Sequence, residues 1–524
     1  MSNWEVFLKN YINSEKFGIF FDFSGIGFSD EFFESMSAKV RDAYGNMAAL
    51  ESGATANVDE NRQVGHYWLR NPNIAPTPEL QEVIQSTISH ILNFTRDVHS
   101  GNVRGPRGVF KNLLCIGIGG SALGPQLINS SLGNRPKMKA YFIDNTDPDG
   151  IDRTLGNIEL EDTLIIVTSK SGSTPEPRNG MLEVMNRFES EGLSFQRQAV
   201  AVTSMGSKLH NQATGEGWIK TFPMFDWIGG RTSITSAVGL LPGALIGVDI
   251  LEFLSGAREM DSWTRMRSEN NPAMRLALAW YKATEGHGKK DMVLIPYKDS
   301  LADFPKYLQQ LIMESLGKEK SLNGEIVNQG IVVYGNKGST DQHSYIQQLR
   351  DGVNNFFATI IEVLQCRDGK SLEVEESITA GDYLHGFSMG TERALSANNR
   401  LTLVISLRRF NAFSLGLLIA LYERAVGFYA SFLGINAYHQ PGVEAGKKAA
   451  AEVLALQKSI LEFLRKRKNK NKPFHLEEIS AQLGSSTDKK LIFKILEQLS
   501  HNGRSIERMA EGDKIESITY KFIG

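Results

Sequence analysis

The sequence predicts an α/β protein: two parallel sheets, each wrapped by helices, with a helical region ahead of them and a small winged-helix-like appendage behind. Three observations carry this reading. Short apolar runs end in glycine- or serine-rich loops that open helical patterns, the alternation expected of a parallel sheet. That alternation starts afresh near Asp291, so a second sheet is expected. A basic, polar stretch, RKRKNKNKP from Arg465, then separates a last segment of different pattern. At 524 residues the chain is too long for one ordinary core.

Residues 1–105 read mainly as helices, as in PELQEVIQSTISHILNFTRDV, where apolar residues recur at helical spacing. In residues 106–288, KNLLCIGIGGSALGPQLI is a strand, a glycine turn and a helix start. AYFIDNTDPDGI and TLIIVTSKSGSTPEPRNGMLEVMNRF repeat that order, and AVAVTS and WIKTFPMFD add short strands. In residues 289–464, DMVLIPY is a strand before the helix FPKYLQQLIMESLGK, GIVVYGNKG and RLTLVISL are further strands, and apolar-striped helices run from Phe413 to Lys448. The two halves share this architecture without an internal sequence repeat.

Residues 465–472 form the basic linker, with six Lys and Arg. In residues 473–524, HLEEISAQLG places Leu476, Ile479 and Leu483 on one helical face, and DKKLIFKILEQLSHNGR places Leu491, Ile492, Ile495, Leu496 and Leu499 on another. A turn is expected at Gly484–Ser486. SIERMAEGDKIESITYKFI alternates like a hairpin across Gly512 and Asp513, completing the winged-helix order. This segment has seven Lys and Arg against eight Asp and Glu, a net of −1, whereas a DNA reader should be basic. A packing or partner-contact module is expected.

Composition excludes several classes. Hydrophobic residues make up 41% and charged residues 22%, the balance of a soluble globular protein, and the net charge of −2 points to neither nucleic acid nor anionic membrane. Glu5 and Lys9 stand where a signal peptide would be apolar. FSLGLLIALYERAVGFYASF is broken by Glu423 and Arg424, short of the ~20 apolar residues that span a bilayer. Cys115 and Cys366 cannot make a disulfide framework, so a reducing cytoplasm is expected. The ten histidines show no HExxH and no HxH pair, and no CxxC occurs, so no metal is expected.

Two loops look built for phosphate. In CIGIGGSALGP a strand runs into glycines and Ser121 at a helix start. In VTSKSGSTPEP a strand ends in Ser169, Lys170, Ser171, Ser173 and Thr174 before Glu176. Small residues let backbone N–H groups approach an anion, hydroxyls add donors, and a helix N-terminus adds positive potential. Either loop alone could serve packing or capping; two in one sheet point to a phosphorylated ligand. A dinucleotide fits less well, because Ala122 stands where GxGxxG needs its third glycine.

CIGIGGSALGP, VTSKSGSTPEP, DWIGGRTSITSAVG, YLQQLIMESLGK, GNKGSTDQHSYIQQLRDG and YHQPGVEAGKK occur in that order. Together they resemble the phosphoglucose isomerase family, built from two sugar-isomerase-type domains, over roughly residues 40 to 450. The resemblance implies an aldose–ketose isomerase acting on a hexose 6-phosphate without a cofactor: ring opening, proton transfer between C2 and C1, and an enediolate between them. It matches Glu314 to the family's general base. Leu311, Ile312, Met313 and Leu316 surround it in sequence, a setting expected to raise its pKa. Arg231 matches the arginine that holds developing negative charge. His343 matches the ring-opening histidine and Lys447 the lysine assisting at the ring oxygen. The phosphate contacts fall on Ser121, Ser169, Lys170, Ser171 and Thr174, with Lys170 acting mainly through its backbone. Gln310, Gln440 and Glu176 match residues lining the sugar.

The family also implies a cytoplasmic homodimer, with His343 reaching the partner's site. Thr232, Leu316 and His439 depart from the usual pattern and leave open the details of sugar contact, including any side activity on mannose 6-phosphate. The alternatives are a hexose-phosphate isomerase of broader specificity and a sugar-phosphate-sensing regulator. A sensor needs only the phosphate loops, whereas this chain also keeps the four residues matched to chemistry.

Overall fold

Helix Asn3–Asn10, closed at its N-terminus by a capping box between Ser2 and Glu5, opens the chain in the computed structural model, which describes residues 2–134, 136–467, 472–484 and 488–523. The chain divides into two units, Met1–His439 and Gln440–Gly524.

In the first unit the N-terminal helix leads into a hairpin of β1 (Tyr11–Ser14) and β2 (Ile19–Asp22). Helices Asp30–Glu51 and Pro78–His99 follow, the latter started by Thr77 as N-cap and Pro78 in the first turn. The first sheet contains β3 (Asn112–Ile116), β4 (Lys139–Ile143), β5 (Thr163–Thr168), β6 (Ala199–Thr203) and β7 (Lys220–Pro223). Its order is β4-β3-β5-β6-β7, all parallel. Both faces are covered. Leu113, Cys115, Leu164, Ile166, Val200 and Val202 join one core, while Leu114, Ile116, Ile165, Val167, Ala199 and Ala201 join the other. Alternate residues of continuous apolar strands are thereby buried on opposite faces.

The second sheet is built from β8 (Asp291–Tyr297), and, after the small hairpin of β9 (Lys318–Lys320) and β10 (Ile326–Gln329), from β11 (Val333–Gly335) and β12 (Phe356–Val363). A second small hairpin, β13 (Glu373–Glu375) with β14 (Ile378–Thr379), precedes β15 (Leu401–Leu407). The order is β1-β2-β15-β12-β8-β11, with the last four parallel and the N-terminal hairpin antiparallel on β15. The sequence reading omitted both that hairpin and β12, the central strand of this sheet. Helix Ala412–Leu433 is long and apolar enough to cross a membrane, but 94% of its apolar window is buried inside the fold. It crosses helix Ile250–Thr264 closely: a Cβ on Gly256 would meet the Phe413 carbonyl at 1.9 Å, and one on Gly416 the Phe253 carbonyl at 2.1 Å.

The second unit begins with helix Pro441–Arg465. Helices Leu476–Leu483 and Lys489–His501 follow, with a sheet of β16 (Phe474–His475), β17 (Ile506–Met509) and β18 (Thr519–Phe522) in the order β16-β18-β17. Ile479, Ile492, Ile495, Leu496 and Leu499 form its core with Ile506, Tyr520 and Phe522, together with Ile460, Phe463 and Leu464 from the end of the long helix. The two helices and the hairpin are those expected of a winged helix. The expected turn at Gly484–Ser486 lies, beyond Gly484, outside the described residues.

Candidate active site

Strand order marks out a candidate site. β4 lies on one side of β3 and β5 on the other, so the carboxyl ends of β3 and β5 flank a switch point, where open α/β sheets bind ligands. Both suspected phosphate loops leave from there. The first runs from β3 through Gly117–Gly119 into helix Gly120–Leu132, with Ser121 in its first turn. Its glycines also serve packing: a Cβ on Gly120 would lie 1.9 Å from the Gly230 carbonyl. The loop is thereby pressed against the segment that carries Arg231. A Cβ on Gly119 would lie 3.1 Å from the Gln310 amide nitrogen, which brings the third segment to the same place.

The second loop follows β5 into helix Pro175–Ser190. Ser169 is buried, and its hydroxyl accepts from the Gly172 N–H (3.1 Å). Ser171 and Ser173 pair through their hydroxyls (2.8 Å), and Thr174 occupies the N-cap without a capping side-chain hydrogen bond. Lys170 turns its ammonium away to the carbonyls of Asp226 (3.0 Å) and Ile228 (3.3 Å), which leaves its backbone to the loop. Burial first, then Arg62, pushes that ammonium below its ordinary pKa, with Asp226 opposing. Glu176 keeps one buried carboxylate oxygen without a hydrogen-bond partner.

Arg231 sits on the short turn Gly230–Thr232 and is 2% exposed. Its Nη1 is 2.9 Å from Glu314 Oε2, its Nη2 donates to the His439 carbonyl (2.9 Å), and its own carbonyl accepts from the Tyr307 hydroxyl (3.4 Å). Burial lowers the guanidinium from its ordinary value, and the Glu314 carboxylate pulls the other way. Glu314 closes a π-helical stretch, Gln309–Glu314, of the kind that often marks functional sites. The apolar setting expected from its sequence neighbours is not what its carboxylate meets. Leu311, Ile312 and Leu316 are buried, Met313 is exposed, and the carboxylate faces the guanidinium. Gln310, one turn earlier, holds a buried amide oxygen with no hydrogen-bond partner.

The remaining expected residues are His343, Gln440 and Lys447. His343 ends the turn Thr340–His343 after β11 and is exposed; among the described residues no hydrogen bond or ion pair joins it to Arg231 or Glu314. Gln440 caps helix Pro441–Arg465, and Lys447 is exposed on it, both in the second unit. Of the three departures from the family pattern, Leu316 is wholly buried and Thr232 nearly so, which removes Leu316 from sugar contact. His439 has a ring nitrogen 3.7 Å from Asp59 and the other 3.2 Å from the Asn436 carbonyl.

Sequence reading passed over Lys318. Its Nζ donates to the carbonyls of Glu314 (2.6 Å) and His439 (3.2 Å), at 4% exposure. Its position four residues after Glu314 was the one available signal, and at that spacing a lysine ordinarily reads as a solvated helix-surface partner. Among the described residues, no group of three or more His, Cys, Asp or Glu side chains is gathered to hold a metal ion.

Comparison with known proteins follows the same segments. The family model for phosphoglucose isomerase matches residues 22–386 and 353–463, and the model for the TBPIP/Hop2 winged helix domain matches residues 456–510. A glucose-6-phosphate isomerase of Cyanothece sp. is 53% identical over 508 residues, covering 96% of each chain. The chloroplastic glucose-6-phosphate isomerase 1 of Arabidopsis thaliana is 52% identical over 520 residues, 97% of this chain and 84% of its own. The crystal structure of a glucose-6-phosphate isomerase from Chlamydia trachomatis superposes with a TM-score of 0.77 at 25% identity, covering 87% of this chain and 91% of that one.

Proposed function

The chain belongs to the phosphoglucose isomerase family and interconverts glucose 6-phosphate and fructose 6-phosphate; from that premise we propose that Glu314 is the base that moves the proton and Arg231 the cation that holds the charge. The observation that carries this is the Arg231–Glu314 pair, 2.9 Å apart beside the two loops at the switch point. With the ring open, Glu314 takes the C2 proton. The C–H electron pair forms the C1–C2 double bond, and O1 takes the negative charge. Returning the proton to C1, with the O2 proton passing to O1, gives the ketose. A guanidinium that is already fixed stabilises the enediolate without reorganising.

The phosphate is held by Ser121, Ser169, Ser171 and Thr174 and by the Lys170 backbone, with Gln310, Gln440 and Glu176 lining the sugar. His343 and Lys447 open the ring. The exposure of His343 supports a homodimer in which each subunit lends this residue to its partner. All these groups are side chains or backbone of the protein, so the reaction takes no metal or cofactor, and the cytoplasm suits a chain whose two cysteines are free. Residues 106–288 and 289–464 form the two sugar-isomerase-type domains, 1–105 the helical entry, 465–472 the linker and 473–524 the winged-helix module, whose core also takes Ile460, Phe463 and Leu464 from the end of helix Pro441–Arg465.

The test is Glu314→Gln in EDTA-treated protein. Turnover should fall by roughly 10²–10⁴-fold, the usual size of general-base loss. The dissociation constant of a sugar-phosphate inhibitor should stay close to that of the unaltered protein. Near-normal turnover would remove Glu314 from the mechanism, and EDTA sensitivity of the unaltered protein would overturn the metal-free reading.

A further inference from the structure

The helix that carries Glu314 ends within three residues of it. The Gly317 N–H donates to the Met313 carbonyl (2.8 Å), and the next carbonyl, that of Glu314 itself, accepts from the Lys318 ammonium. A lysine covering the last carbonyls of a helix is a familiar cap. This one does more, because the same ammonium also donates to the His439 carbonyl, the atom that receives Arg231 Nη2. One buried side chain therefore links the end of the base-bearing helix to the anchor of the arginine.

We propose that Lys318 is a positioning residue for the isomerisation, holding Glu314 and Arg231 at a fixed distance and adding positive potential where the enediolate charge develops. The proposal rests on the roles of Glu314 and Arg231 given above. A cap alone would not need a charge here. Burying an ammonium whose direct acceptors are neutral carbonyls is costly, and a neutral donor could satisfy the same oxygens. The charged groups acting on Lys318 are Arg231, Glu314 and Asp59, and Lys318 in turn, after burial, lowers the pKa of the His439 ring. Burial and Arg231 push the Lys318 pKa down to about 8, so its charge is lost within the range over which activity is readily measured.

Three variants test this: Lys318→Met, Lys318→Gln, which retains a neutral donor should the methionine variant fail to fold, and Glu314→Gln as reference. Lys318→Met is expected to lower kcat by about 10- to 100-fold, the size of a misplacement near 1 Å. KM and inhibitor binding should move less than about threefold, as befits a contact used in the transition state. The unaltered protein should lose kcat as pH rises through about 8, and both Lys318 variants should lack that limb. A kcat within about twofold of normal in Lys318→Met or Lys318→Gln, with Glu314→Gln inactive, would overturn the proposal and leave the base assignment standing. So would a loss of kcat that tracks a fall in Tm with the alkaline limb intact. Near-normal turnover in Glu314→Gln would overturn the reading beneath it, and the proposal with it.

Discussion

Between pH 8 and 10.5 the folded chain holds Lys318 largely neutral, while the unfolded chain keeps it protonated, because burial lowers its folded pKa from 10.5 to about 8. The unfolded state then binds more protons than the folded state, so stability rises with pH across that window. Below it both states carry the charge, and the full cost of burying an ammonium stands. That cost is roughly 3 kcal/mol at ~1.4 kcal/mol per pKa unit. Relative to Lys318→Met, the unaltered protein should therefore gain about 2 kcal/mol between pH 7 and pH 9.5. Urea denaturation of both proteins at the two pH values measures it, and parallel pH dependence would show that Lys318 does not titrate in this range. Such a residue is hard to read from sequence. Glu314 and Arg231 were legible because they lie in long, ordered motifs. The direction of the Glu314 carboxylate was not, since it depends on a turn some eighty residues away in sequence. Lys318 was hidden for the same reason: its second acceptor is the carbonyl of His439.

Elements were legible where local pattern decides them. The apolar runs of β3, β5, β6 and β8, each buried on both faces, announced themselves as strands with the loops that follow. The hairpin β1–β2 did not, because its place on β15 is a pairing across almost four hundred residues. A π-helical stretch likewise leaves no trace in a pattern read at 3.6 residues per turn. In helix Ala412–Leu433 the sequence shows Glu423 and Arg424 only as a break in an apolar run, whereas in the fold both are buried, not turned to water. Glu423 pairs with Arg70, and Arg424 pairs with Glu51. Asp261 lies 3.3 Å from Arg70 and 3.5 Å from Arg424, and Arg265 reaches Glu51 at 2.7 Å. Three arginines meet three carboxylates, joining helices Asp30–Glu51, Ile250–Thr264 and Ala412–Leu433. Burial pushes Glu423 up to about 7 and raises Asp261 as well, with the neighbouring arginines pulling both the other way. Asp261→Asn would leave Arg70 and Arg424 short of a counter-charge and should cost about 3–5 kcal/mol, as breaking a buried pair does. Chemical denaturation reads this directly. A loss below about 1 kcal/mol, the scale of exposed pairs, would mean that water or rearrangement already satisfies the network.

At the scale of the whole molecule, the two sheets repeat one plan that no sequence repeat betrays: β4-β3-β5-β6 in the first and β11-β8-β12-β15 in the second follow the same order. The end of the chain is a different matter, since its pattern and its charge could be read but its boundary could not. The basic stretch from Arg465 looked like a clean division, and helix Pro441–Arg465 does end there. Yet Ile460, Phe463 and Leu464, the last apolar turns of that helix, are buried in the core of the winged-helix module. A chain ending at Arg465 keeps every residue assigned to the chemistry, Lys447 included, and should remain an isomerase with kcat close to normal. It would also expose three large apolar side chains, each contributing about 1.5–3 kcal/mol when buried. Aggregation or a lower Tm is therefore expected, and should be relieved by replacing Ile460, Phe463 and Leu464 with polar residues in the shortened chain. The module's net charge of −1 leaves only the basic linker to attract nucleic acid. The full-length protein should accordingly bind DNA weakly, without sequence preference, and lose that binding steeply as salt rises. Turnover of the shortened chain, its light scattering and a salt titration of DNA binding test these points together. Sequence-selective binding at physiological salt, abolished by the truncation, would make the module a DNA reader and not the packing or partner-contact element that its charge supports.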